Sequence, residues 1–84
     1  MGELSKLENI GKIVEQQLNE VGIETYEQLK EIGCRQAWLK IREIDDSACI
    51  HRLYALEGAI QGIKKAELSP SKKAELKEFY HTFK

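Results

Sequence analysis

The sequence predicts an all-α fold, a compact bundle of five to six short helices. Three observations predict it. Apolar residues recur at intervals of three and four, the helical period. No stretch alternates β-branched and polar residues over the length of a strand. Glycines, the single proline and Ser or Thr caps fall where helices should start and stop. The 84 residues fit one domain, 1–84, with one core and no deep cleft between lobes. A chain this short buries only roughly 60–65% of its unfolded surface.

The elements follow in order. Leu4 to Leu7 forms a short amphipathic turn. Asn9-Ile10-Gly11-Lys12 then opens a longer helix, with Ile13, Leu18 and Val21 inward and Val14 and Gln17 beside them. Gly22 ends it as a left-handed residue, after which Ile23 folds back on the helix. Thr25-Tyr-Glu-Gln28 is a capping box. It starts a short helix with Leu29 and Ile32 inward and Gly33 at its end. Another helix runs from about Arg35 to Glu43, burying Ala37, Trp38 and Ile41, with Leu39 partly covered. Asp45 or Asp46 is expected to cap the fifth. There Cys49, Leu53, Leu56, Ile60 and Ile63 make one stripe, with Ala48, Ala55, Ala59 and Gly62 beside it, so this helix is expected at the centre. Ser69-Pro70 reads as cap and first residue of a last helix. Ala74, Leu76, Phe79, Tyr80 and Phe83 are its contact surface.

Gly58 and Gly62 lie on one face of the fifth helix. A mid-helix glycine costs about 0.5–1 kcal/mol relative to alanine. Both are therefore expected at a close helix packing, made within the chain or with a second copy.

Charge and motif content narrow the function. Thirteen Lys and Arg against fourteen Asp and Glu leave a formal charge of −1, which excludes a strongly basic nucleic-acid binder. No apolar run approaches the roughly 20 residues of a membrane helix, and Glu3 and Lys6 interrupt any signal-peptide pattern. A cytoplasmic protein with no membrane partner is expected. Cys34 and Cys49 are too few for a disulfide framework and are expected to stay free. Cys49 and His51, two apart on a helix, point about 200° from each other and cannot easily share an ion, so no metal is expected. Cys49 on the apolar stripe reads as a small core residue, and Cys34 after Gly33 stands where a helix N-terminus could lower a thiol pKa, although reactive chemistry there is not the preferred reading. Glu57 reads as a rim residue or a cap on another helix's amides, and His81 as a partner of its own helix's dipole. No nucleophile, base and orienting group are arranged for catalysis, so neither an enzyme nor a cofactor is expected.

Leu7-Glu-Asn-Ile10-Gly11-Lys12, followed by a helix, resembles a helix-hairpin-helix motif. Such a turn brings backbone amides at a helix N-terminus up to a phosphate. Asn9, Gly11 and Lys12 are the candidate phosphate or partner contacts. Gly11 would allow the close approach, the Gly11 and Lys12 amides would donate, and the Lys12 side chain would add charge.

A wider pattern is more specific. Asn9-Ile10-Gly11-Lys12, Val21-Gly-Ile-Glu-Thr25, Ala37-Trp38-Leu39 and Leu53-Tyr-Ala-Leu-Glu-Gly-Ala-Ile-Gln-Gly62 together resemble the C-terminal domain of TfoX/Sxy-type competence regulators. The resemblance covers about Leu7 to Phe79, and the last run is its most specific part. Glu8, Tyr26 and Asp46 depart from it, standing where many relatives are expected to carry proline. The resemblance implies a helix-hairpin-helix-like fold and a bacterial role in control of DNA-uptake competence. Family members often carry a further N-terminal domain, which these 84 residues do not include.

Charge is unevenly spread. From Met1 to Glu31 three lysines face seven glutamates, −4 around the hairpin, whereas Lys64 to Lys84 holds six lysines and three glutamates, +3. A nucleic-acid surface would draw on Arg35, Lys40, Arg42, Lys64, Lys65, Lys72 and Lys73, which otherwise read as solvated helix surface. The expected partner is a protein in transcription or competence control, bound by a monomer or weak homodimer. The alternative is weak, sequence-independent DNA binding through the hairpin amides.

Overall fold

The structure, a computed structural model, describes residues 4–82. It contains four α-helices: α1 (Lys12–Glu20), α2 (Tyr26–Ile44), α3 (Ile50–Gln61) and α4 (Pro70–Thr82). Single turns of 3-10 helix at Leu4–Lys6 and Lys65–Glu67 precede α1 and α4. No strand occurs among the described residues. The expected five to six helices become four because the segments on either side of Gly33 run on as one element. Gly33 sits at φ 84°, ψ 158°, a non-helical break that only glycine adopts without strain, so α2 is two helical segments that follow one another across a kink there, with Gly33 at the end of the first as its position predicts. The hairpin before α1 has the 3-10 turn on its N-terminal side where a helix-hairpin-helix would have a second helix.

The local signals that set the ends are specific. Ile23 N–H donates to the Leu18 carbonyl at 2.8 Å and Gly22 N–H to Asn19 at 3.1 Å, with Gly22 at φ 90°. This pair of bonds closes α1 and folds Ile23 into the core. At α2 the Gln28 N–H donates to Thr25 Oγ1 at 3.1 Å and Gln28 Oε1 accepts from the Thr25 N–H at 3.2 Å, completing the capping box. The Lys72 N–H donates to Ser69 Oγ at 3.1 Å at the start of α4.

The core centres on α3 and the second half of α2. Trp38, Ile41, Leu53, Leu56 and Leu76 are fully buried, joined by Leu4, Leu18 and Leu29. Phe79 and Tyr80 of α4 meet the Trp38 ring edge-on, with centroids 6.0 and 5.6 Å away. The Trp38 indole N–H donates to the Cys49 carbonyl at 3.2 Å, so the ring both fills the core and ties α2 to the start of α3.

Several sequence expectations are corrected. Cys49 is exposed: α3 begins at Ile50, and Cys49 is its cap in an extended conformation, outside the helical stripe that its spacing seemed to continue. Cys34 is the buried cysteine. Neither Asp45 nor Asp46 caps α3, because Asp45 ends α2 and its carboxylate is engaged elsewhere. Ile13 is 69% exposed, and Ala74 faces solvent. Phe83 lies outside the described residues. Gly62 is not a packing point: it ends α3 at φ 78°, and a Cβ there would meet no atom within 4 Å. No helix among the described residues is long and apolar enough to cross a membrane.

Candidate functional site

The hairpin places Asn9, Gly11 and Lys12 in different roles. Asn9 adopts φ 70°, a left-handed conformation that asparagine tolerates better than most residues. Its Nδ2 donates to the carbonyls of Ile63 at 3.0 Å and Ala55 at 3.4 Å, and its Oδ1 accepts the Lys65 N–H at 3.0 Å. The side chain is thus turned inward, sealing the end of α3. Gly58 makes room for it: a Cβ there would lie 2.5 Å from Asn9 Nδ2 and 2.8 Å from the Ile63 carbonyl oxygen. The close approach at Gly58 is therefore with the hairpin and the chain after α3.

Gly11 caps α1 with extended backbone and no side-chain bond, and a Cβ there would meet nothing within 4 Å. The first amides of a helix have no partner inside it. Together with the exposed Lys12, they leave an open N-terminal turn. One turn further on, Glu15 is buried, and its carboxylate accepts the Ser5 N–H at 3.2 Å. A shallow groove of about 560 Å³ runs here, lined by Ser5, Lys12, Glu15, Gln16, Asn19 and Glu20.

The expected basic surface is divided among several faces. Arg35 lies over the Phe79 ring at 5.8 Å and 3.6 Å from the Glu75 carboxylate, which Lys72 also reaches at 3.4 Å. Arg42 covers the Trp38 ring at 5.6 Å. Lys40, two residues earlier, points away from Arg42 and lines a different groove with Val21, Ile23 and Ile32. Lys73 is half-buried, its carbonyl accepting the Tyr54 hydroxyl at 3.4 Å. Lys64 and Lys65 are exposed, and the bond from the Lys65 N–H to Asn9 sets them beside the hairpin.

A second cluster had no signal in the sequence. Asp45, at the end of α2, accepts from Gln17 Nε2 of α1 at 2.8 Å and from Arg52 Nη1 of α3 at 3.1 Å. Arg52 also donates to Gln17 Oε1 at 3.0 Å, and the Ser47 hydroxyl and N–H both donate to Asp45 Oδ1. The Ser47 hydroxyl, then Gln17, then the Ser47 amide and Arg52 hold the Asp45 carboxyl well below the usual carboxylate range. The clasp joins three helices. Its members stand up to 35 positions apart, which no local spacing could connect.

Cys34 is not the activated thiol that a helix N-terminus can produce. Burial, then a hydrogen bond to the Glu57 carboxylate and the charge of that group, push the thiol up to about 12, against smaller opposing effects of Arg35 and Lys72. Glu57, which also accepts from Gln61 Nε2, serves this buried thiol and its own helix. Among the described residues no three His, Cys, Asp or Glu side chains are grouped to hold a metal ion.

Comparison with known proteins identifies the family and the fold. Residues 1–80 match the TfoX C-terminal domain family. Protein Sxy of Escherichia coli (strain K12) is 36% identical over 76 residues, covering 90% of this chain. The chain spans 36% of that relative's length. Two crystal structures from Listeria monocytogenes superpose closely. A triclinic form of an uncharacterized protein has a TM-score of 0.94 at 50% identity, covering 95% of this chain and 91% of that one. A tetragonal form of a protein of unknown function has a TM-score of 0.94 at 49% identity, covering 96% and 99%. The chain belongs to the TfoX C-terminal domain family.

Proposed function

We propose that this domain is a non-catalytic protein-interaction module of the competence-regulator type, working in transcription or competence control through its exposed helix surfaces. The observation that carries the reading is the commitment of Asn9. All its side-chain polar atoms bind backbone groups near residues 55–65, so the side chain holds the turn and is not presented to a ligand. The charge of −4 from Met1 to Glu31 opposes phosphate approach, since that affinity comes from neutralising cations. A Cys34 thiol kept protonated by burial and Glu57 supports the non-catalytic part. Similarity to protein Sxy supports the regulator class. Affinity capture with the tagged full chain from its source cell, with and without nuclease, tests the reading. Proteins retained after nuclease treatment are the expected result. Loss of every retained protein on nuclease treatment would point to DNA bridging and overturn it.

One observation favours a second reading, weak and sequence-independent DNA binding. The Lys65 N–H donates to Asn9, three residues before Lys12, so the backbone of the Lys64-Lys65 pair approaches the hairpin that leads into α1. Three lysines around a helix N-terminus would neutralise two or three phosphates, each adding about 0.9 to the salt slope.

A further inference from the structure

Two large apolar side chains stand in solvent among the described residues, Ile13 at 69% and Ile44 at 50% exposure. They are distant in sequence, yet the fold brings their elements together. Gln17, one turn after Ile13 on α1, donates to Asp45 at 2.8 Å, and Asp45 directly follows Ile44. Arg52 of α3 bonds both partners, so a three-helix clasp stands one turn from Ile13 and directly after Ile44. Single exposed apolar residues are ordinary on a protein surface. Here each one directly follows an exposed charge, and the two charges are opposite: Lys12 before Ile13 and Glu43 before Ile44. Neither charge forms an ion pair within the described residues.

We propose that this edge pairs with a second copy of the chain across a two-fold axis, Ile13 of each copy lying against Ile44 of the other. The same pairing sets Lys12 of each copy opposite Glu43 of the other. In a contact of this symmetry whatever i makes with j is made again by j with i, so one apolar pair and one charge pair each occur twice, and the assembly closes as a dimer. The edge is thus complementary to itself in charge as well as in polarity. The patch is far smaller than the roughly 800 Å² per partner of a standard interface, so the association is weak. Dimerisation covers Lys12, and phosphate contact at that residue would compete with it. This inference stands apart from the identity of any other protein partner.

Sedimentation of the purified full chain up to about 1 mM tests it, the expected dissociation constant lying at about 0.1–1 mM. Ile13→Glu and Ile44→Glu, both at exposed positions, should keep the helical circular dichroism and weaken association at least about tenfold, because each buries a charge in an apolar contact. Lys12→Glu and Glu43→Lys alone should each weaken it about threefold or more. The double exchange Lys12→Glu/Glu43→Lys should restore it to within about twofold. A chain still monomeric at the highest concentration, association indifferent to the isoleucine substitutions, or a double exchange no better than the singles would each overturn the proposal. So would a monomeric chain whose Ile13 face captures a different protein.

Discussion

Asn9 and Gly58 depend on one another. The asparagine fits against α3 only because position 58 has no side chain, and its three bonds tie the hairpin to the Ala55 carbonyl within α3 and to the Ile63 carbonyl and Lys65 N–H of the chain that follows it. Replacing Gly58 with Ala should lower stability by about 1–3 kcal/mol, because overpacking against the Ile63 carbonyl outweighs the gain of about 1 kcal/mol from removing a helical glycine. Gly62→Ala should also destabilise, by about 1–2 kcal/mol, through its left-handed backbone alone. Urea melts of the two variants check both, and a Gly58→Ala protein as stable as the parent would refute the packing argument. At Cys34 the raised thiol makes a chemical prediction. Brief treatment of the native chain with an alkylating reagent near pH 8 should modify Cys49 alone, and unfolding should expose the second site; mass spectrometry reads the count. The sequence showed the conformational demand at Gly22 and the capping pair Thr25 and Gln28, because each is settled within a few residues. It could not show Asn9 reaching positions 46 to 56 residues away. Nor could it distinguish Cys49 from Cys34, since the stripe's spacing continues past the residue where α3 starts.

Helices α1, α2 and α3 are joined at one edge by Asp45, Gln17 and Arg52. The folded protein holds the Asp45 carboxyl below the value of an unfolded chain, and such a group stabilises the fold when ionised. The stabilisation is present above the ordinary carboxylate value of about 4 and is lost as pH falls toward the lower folded value. The parent should therefore be more stable than Asp45→Asn near neutral pH, and the gap should narrow as the solution is taken below about pH 4. Thermal melts at a series of pH values check this, and a gap constant across the series would deny the carboxylate its part. The helices themselves were readable from period and caps because each half of α2 carries its own apolar face. The break at Gly33 was readable too, but not that the next segment follows at once across a kink, because a glycine before a loop and one within a kink look alike in sequence. The clasp was illegible for another reason: polar residues on three helices carry no periodic signature, and only the packing of the apolar faces brings them together.

Across the whole molecule, charge and shape separate the two functional readings. The N-terminal third that contains the hairpin is acidic in sequence, whereas Arg35 and Lys72 share Glu75, Arg42 covers Trp38, and Lys40 points to another groove. Among the seven candidate cations, Lys65 is tied to the hairpin by its backbone N–H on Asn9. The resemblance that placed the chain in its family was legible in motifs such as Leu53 to Gly62. Which face works was not, because function here depends on how charges from distant segments meet. The most direct measurement is a titration of labelled duplex DNA with the full chain at about 150 mM salt, with Lys12→Glu in parallel. A protein-interaction module predicts a dissociation constant no tighter than roughly 10 μM, in the non-specific range, with a shallow salt slope. Sub-micromolar binding that Lys12→Glu abolishes would contradict the account and make the hairpin a phosphate clamp.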